Sequence, residues 1–223
     1  MKEKIEANYK RVLENIAPYT RDRKITVLVA TKTQSIEDIN YLISLGCDTI
    51  GENRVNELVE KFDSYDKRAG LHFIGTLQKN KVKYIYDKVE LIHSVDSLSL
   101  AEEIDKRCAK IDKVMDILVE VNSGKEENKG GIFPECVEEF ISSLSHLKNV
   151  RVRGLMTMAP RCTSREEYLS YFVPTKELFD KLFKNEKDAI LSMGMSESYM
   201  YALEAGANLI RIGSAIFGER KYL

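Results

Sequence analysis

Eight short apolar or β-branched runs recur along the chain: ITVLVA (25–30), TIGEN (49–53), LHFIG (71–75), ELIHSV (90–95), MDILVEV (115–121), VRVRGLMTM (150–158), AILSMG (189–194) and LIRIG (209–213). Longer charged segments of helical periodicity separate them, beginning near Ser35, Arg54, Gln78, Ser97, Pro134, Ser164 and Glu197, with a last short one after Gly213. Strand, helix and strand again is the unit of a parallel sheet with right-handed crossovers. Eight units in 223 residues predict an α/β fold, a closed (β/α)8 TIM barrel, an architecture that typically takes ~250 residues. Were the short second run or the fourth not a strand, an open flavodoxin-like sheet would follow instead.

Ahead of the first run, Ile5, Tyr9, Val12, Leu13 and Ile16 return at helical spacing and predict an extra N-terminal helix that stops near Pro18. After the sixth run, Ser164-Arg165-Glu166-Glu167 fits a capping box. Pro174 then interrupts the helical pattern, which predicts two helices or one kinked helix. Residues 122–131, NSGKEENKGG, are polar and glycine-bearing and predict a mobile loop after the fifth strand. No linker or internal repeat divides the chain, so residues 1–223 are expected to form one domain.

Composition narrows the function classes. Lys+Arg total 34 against 35 Asp+Glu, a formal net charge of -1, which gives no electrostatic case for nucleic acid or an anionic membrane. The opening MKEKIEANYKRVLENIAPY holds no apolar core of a secretory signal. No stretch approaches the ~18–20 apolar residues of a membrane span. Cys47, Cys108, Cys136 and Cys162 form no C-x-x-C pair and no metal-ligand spacing, which predicts reduced thiols in a cytoplasmic protein with no metal site.

In this barrel class the active site forms at the C-terminal ends of the strands. Lys32 directly follows the first run. A strand-end lysine can snorkel to solvent. An amine in a partly desolvated pocket can instead act as a nucleophile and form a Schiff base with a carbonyl. Gly213-Ser214-Ala215-Ile216-Phe217-Gly218 offers small residues and backbone N–H groups to an anion after the eighth strand, and Gly194-Met195-Ser196 does so after the seventh. Those two loops are the usual phosphate site of the barrel. Arg211 lies inside the eighth run. It either faces outward and pairs with a carboxylate, or faces inward and needs an acceptor such as a ligand ring nitrogen. His72, His93 and His146 show no triad order or metal-ligand spacing and are expected to be core or surface residues. Met156, Met158, Met193 and Met195 are expected to pack the top of the barrel.

With Lys32, GEN at 51–53, HFIG at 72–75, GLMTMAP at 154–160, SMGMS at 192–196 and RIGSAIFG at 211–218 assembled, the chain closely resembles the pyridoxal phosphate homeostasis proteins, small relatives of the alanine racemase barrel. The resemblance runs from about residue 24 to the C-terminus. It implies a monomeric or weakly associating barrel that carries pyridoxal 5′-phosphate. Lys32 would form the internal aldimine, and Arg211 would approach the pyridine nitrogen. Ser196, Gly213 and Ser214 would hold the phosphate, and Asn53 would line the ring. It further implies that the protein carries or buffers the cofactor, affects vitamin B6 and amino-acid pools, and passes the cofactor to apo-enzymes without established turnover. Thr31, Asn56, Glu197 and Ser214 stand where the family more often has serine, glutamine, aspartate and threonine, and keep the polar character.

Two other functions fit parts of the pattern. An amino-acid racemase of this class adds a C-terminal β-domain and a tyrosine from the partner subunit. Here only five residues follow Gly218 and no second acid/base stands out. A class I aldolase would use Lys32 on a sugar carbonyl. Lys125 and Lys129 lie in the loop after the fifth strand, and Lys129 is a candidate to accept the aldehyde transiently during loading or release.

Overall fold

The computed structural model describes residues 2–218, so residue 1 and residues 219–223 of the expected domain lie outside the described residues. The order is α1 (Lys2–Ile16), β1 (Thr26–Ala30), α2 (Ile36–Ser44), β2 (Thr49–Glu52), α3 (Val55–Lys61), β3 (Gly70–Phe73), β4 (Leu91–Val95) and α4 (Leu98–Cys108). There follow β5 (Met115–Val121), α5 (Val137–Ser143), β6 (Val150–Thr157), α6 (Arg165–Leu182), β7 (Ile190–Ser192), α7 (Tyr199–Glu204), β8 (Leu209–Ile212) and α8 (Ser214–Phe217). All eight runs are strands, and they close a parallel barrel in sequence order, with β8 paired to β1 through Thr26–Leu209 to Val29–Ile212. The short second run pairs on both edges, so the open sheet does not form.

The apolar runs are continuous because each strand is buried on both faces. Val27, Val29, Ile50, Phe73, Ile92, Ile117, Ile210 and Ile212 join the outer core beneath the helices. Leu28, Ile74 and Leu209, and separately Leu91, Leu118 and Met156, form two small clusters inside the barrel. α1 buries Ile5, Tyr9, Val12 and Ile16 and ends at a 3-10 turn with Pro18 in its first positions. The Ser35 hydroxyl caps α2 by accepting from the Asp38 N–H at 3.2 Å.

One connection differs from expectation, and another takes one of its two expected forms. The segment after β3 is a 3-10 helix, Lys79–Tyr84, whose buried Val82 lies three residues before buried Ile85 at the C-cap, matching three residues per turn. Pro174 lies inside one unbroken 18-residue helix, α6. Phe172 and Thr175, on either side of it, are almost fully buried, and the Thr175 hydroxyl donates to the Tyr171 carbonyl at 2.8 Å. Packing of that face offsets the hydrogen bond that proline removes. The capping box forms at its start: Ser164 accepts from the Glu167 N–H at 3.2 Å, and the Glu167 carboxylate, which accepts chiefly from Thr163, also draws on the Ser164 N–H. Among the described residues no helix is long and apolar enough to cross a membrane.

Candidate functional site at the mouth of the barrel

Lys32 sits where β1 ends. The Thr31 carbonyl accepts from the Gln34 N–H at 3.1 Å, closing a turn over Lys32 and Thr33. Thr33 adopts a left-handed φ of 66°, uncommon for a β-branched residue and held only where neighbours fix it. The fixing groups come from β2 and α3. The Thr33 N–H donates to Glu57 at 2.7 Å. Fully buried Glu52 accepts from the Thr31 hydroxyl at 2.8 Å, from Lys61 at 3.1 Å and from the Tyr65 hydroxyl at 3.2 Å. Lys61 also donates to the Thr31 carbonyl at 3.3 Å. A buried carboxylate needs such a full set of donors. The middle residue of GEN is thus the anchor of the lysine turn, a role that sequence reading missed.

The half-buried Lys32 side chain lines a cavity of about 350 Å³ together with Asn53, Tyr168, Ser196, Arg211, Gly213 and Ser214. All six expected site residues therefore meet in one cavity. The Asn53 side-chain oxygen is buried with no hydrogen-bond partner, which marks a position where a further donor would be favoured.

Arg211 resolves the choice left open by the sequence: it faces inward. It is 5% exposed. Nη1 donates to the Ser192 carbonyl at 3.0 Å and the Ser192 hydroxyl at 2.6 Å, and Nη2 to the Thr157 carbonyl at 3.0 Å. Of the five N–H donors of a guanidinium, two have no acceptor among the described residues. Burial pulls its pKa down to about 10, with Glu120 pulling the other way, so it remains a cation at neutral pH.

The turns after β7 and β8 interlock. The Ser196 hydroxyl accepts from the Gly213 N–H at 3.2 Å and the Ala215 N–H at 3.1 Å, so these two amides serve the serine rather than facing the cavity. Among the described residues no acceptor pairs with the N–H of Ser196, Glu197 or Ser214. The Ser196 hydroxyl, with its oxygen already accepting twice, has its proton left to donate.

A second cavity, of about 470 Å³, shares Met158, Ala159, Arg161 and Met195 with the first and reaches Glu120, Asn122 and Lys129. Met158 and Met195, 45% and 43% exposed, line both cavities; Met156 and Met193 are buried as expected. Glu120, 8% exposed, has its pKa pushed up to about 7 by burial and by Asp96, with Arg211 opposing. Its signal in the sequence was a carboxylate in a run of residues buried on both faces. The loop at 122–131 folds back on Asn122, whose side chain donates to the Glu126 and Lys129 carbonyls at 2.9 and 3.3 Å and accepts from the Glu126 N–H at 3.1 Å. Lys129 pairs with Glu126 at 2.6 Å and Lys125 with Glu135 at 3.0 Å.

The chain matches the model of the alanine racemase N-terminal domain over residues 2–221. It is 46% identical over 199 residues to the pyridoxal phosphate homeostasis protein of Aquifex aeolicus, covering 88% of this chain and 87% of that one. The chain belongs to the pyridoxal phosphate homeostasis protein family. The family member of Helicobacter pylori is 36% identical over 221 residues, with 98% of both chains covered. Among solved structures, PipY of Synechococcus elongatus with PLP bound is similar at 27% identity with a TM-score of 0.81, covering 96% of this chain and 100% of that chain.

Proposed function

We propose that this chain binds pyridoxal 5′-phosphate through Lys32 and carries or buffers it without turnover, as a cytoplasmic monomer that supplies apo-enzymes. The observation that carries the reading is the convergence, in one cavity, of a strand-end lysine and an anion-accepting pair of turns. The family name of its relatives points the same way.

The residues present fit the cofactor. The Ser196, Glu197 and Ser214 amides and the Ser196 hydroxyl are a donor set for a phosphate. Lys32 is the amine for the aldehyde. Asn53, whose side-chain oxygen is unpartnered, lines the same cavity as Lys32 and would line the ring. Once bound, the cofactor supplies an aldehyde carbon and an electron-withdrawing ring. Arg211 would approach the ring nitrogen with its remaining donors. A guanidinium does not surrender its proton at neutral pH, so Arg211 would hold that nitrogen by a hydrogen bond and leave it unprotonated. A weaker electron sink suits a carrier better than a catalyst of carbanion chemistry.

The test is the visible spectrum of the protein with added pyridoxal phosphate, before and after borohydride, followed by peptide mapping. Wild type is expected to turn yellow and to carry the reduced adduct on Lys32, and Lys32→Ala to carry none. A protein that stays colourless overturns the reading and favours the aldolase. Substrate-dependent α-proton exchange at enzyme-like rates would overturn the absence of turnover.

A further inference from the structure

Arg211 is held by more than its immediate contacts. The Ser192 hydroxyl that accepts from it at 2.6 Å also lies 3.1 Å from His93 Nδ1, and His93 Nε2 lies 3.1 Å from His72 Nδ1. Residues on β3, β4, β7 and β8 thus form one polar line through the barrel. His93 and Ser192 are fully buried.

The direction of this line follows from the donor inventory. A guanidinium only donates, so the Ser192 oxygen accepts from Arg211. The Ser192 proton then needs an acceptor, and among the described residues the only one in reach is His93 Nδ1. His93 is therefore protonated at Nε2, and that N–H donates to His72 Nδ1. The reverse order would leave a buried hydroxyl proton unpaired, a cost of the order that proteins avoid. Burial disfavours the charged form of both imidazoles: His72 is pulled down to about 4, and His93, also beside His72 and Arg211, falls well below its ordinary range.

We propose that Ser192 and His93 are positioning residues for Arg211, acting through a one-way chain of hydrogen bonds in which His93 is the neutral Nε2–H tautomer. Without the chain the guanidinium loses one of its three anchors and turns in its pocket. The consequence for the cofactor rests on the reading of Arg211 given above, whereas the tautomer and the anchoring do not.

Nitrogen-15 spectra of the histidines in the wild-type protein decide the direction. The chain has three histidines, and exposed His146 is assigned by His146→Gln. His72 and His93 are expected to be bare at Nδ1 and protonated at Nε2; a His93 protonated at Nδ1 overturns the proposal. Substitution decides the positioning. Asparagine can place an oxygen where His93 has Nδ1, whereas glutamine reaches only the place of Nε2. In the cofactor-free protein, Ser192→Ala, His93→Leu and His93→Gln are expected to speed exchange of the Arg211 side-chain protons, and His93→Asn to restore protection. Pyridoxal phosphate should bind about tenfold more weakly to the first three, the worth of one charge-assisted hydrogen bond, with a shifted absorption maximum, and within about twofold of wild type to His93→Asn. Wild-type behaviour in His93→Gln together with loss in His93→Asn overturns the proposal. Failure of the wild type to bind the cofactor overturns only the reading of Arg211, because the nitrogen spectra and the exchange data stand without it.

Discussion

The two halves of the barrel mouth are built from different materials. On the β7–β8–β1 side, donors and a single buried cation do the positioning: the turns at 194–196 and 213–215 lock together through Ser196, and Arg211 is bound on three sides. On the β4–β5 side, acidic side chains face the second cavity, and the loop folds back on the side chain of Asn122. The first side is fixed before any ligand arrives and is suited to an anion. The second is held by the Asn122 side chain, by backbone bonds within and at the ends of the loop, by the Gly131 N–H donating to Asp96 at 3.3 Å, and by exposed ion pairs, each worth little.

The contrast is broken most severely by removing the cation. Arg211→Met strips donors from the buried Ser192 and Thr157 carbonyls, and two unsatisfied acceptors cost about 3 kcal/mol, read by urea unfolding. The same variant should also lose most of its affinity for pyridoxal phosphate. An unchanged stability would mean that the interlock, not the arginine, carries the rigid side. Next is Glu120→Gln. A carboxyl whose folded pKa is raised from 4.5 to about 7 binds its proton more tightly in the native state. Its stabilisation is complete below pH ~4.5 and is lost as pH rises through ~7. The linkage is on the order of 3 kcal/mol. Measured as the difference between variant and wild type, Glu120→Gln should gain that amount from pH 4.5 to pH 8. The depressed histidines slope the other way, losing stability as pH falls from ~6.5 towards ~4, so only the difference isolates Glu120.

How far this mouth could be read from the sequence depends on what each residue needs. Strands were legible because both faces are buried, which leaves an unbroken apolar run ending abruptly at Lys32, Asn53 or Gly213. Of the six expected site residues that meet in the first cavity, five were legible because they stand at or just past those ends, whereas Arg211 lies inside the eighth strand. The orientation of Arg211 was not, since period-two alternation carries no information where both faces are apolar. His93 and Ser192 were passed over for the same reason: their partners lie 21 and 19 residues away, on other strands. Glu52 was hidden inside a motif whose neighbour drew attention. Pro174 left two helices or one kinked helix open because local propensity does not report the burial of Phe172 and Thr175 that favours one helix.

Smaller perturbations sharpen the comparison. Gly194 has φ +85°, and an added Cβ would lie 2.6 Å from Ala202 Cβ and 2.8 Å from Tyr199 Cα. Gly130, on the other side, would meet only the end of the Asp96 side chain, at 2.9 Å, which can turn away. Gly194→Ala should cost about 1–3 kcal/mol, and Gly130→Ala about 0.5 kcal/mol or less; equal costs would erase the distinction. Asn122→Ala removes three bonds that tether the loop. It should cost about 1 kcal/mol globally, yet speed proteolysis within 122–131 several-fold by local opening. Unchanged cleavage would show that the ion pairs, the backbone bonds and the Asp96 contact hold the loop without the Asn122 side chain.

The smallest effect on the fold is expected at Lys129, where the difference between the two sides bears on function. Its ammonium is exposed and engaged with Glu126, so Lys129→Ala should change unfolding by no more than about 0.5 kcal/mol. Lys129 lines the second cavity and not the first, so affinity at Lys32 should stay within about twofold of wild type. The rate of transfer to an apo-acceptor is a separate quantity. Met158, Ala159, Arg161 and Met195 line both cavities, so a ligand leaving Lys32 past them would enter the space that Lys129 faces. Slower transfer with unchanged affinity would place Lys129 on the route of release. Unchanged transfer would remove it from that route and leave the β4–β5 side with no part in handling the cofactor.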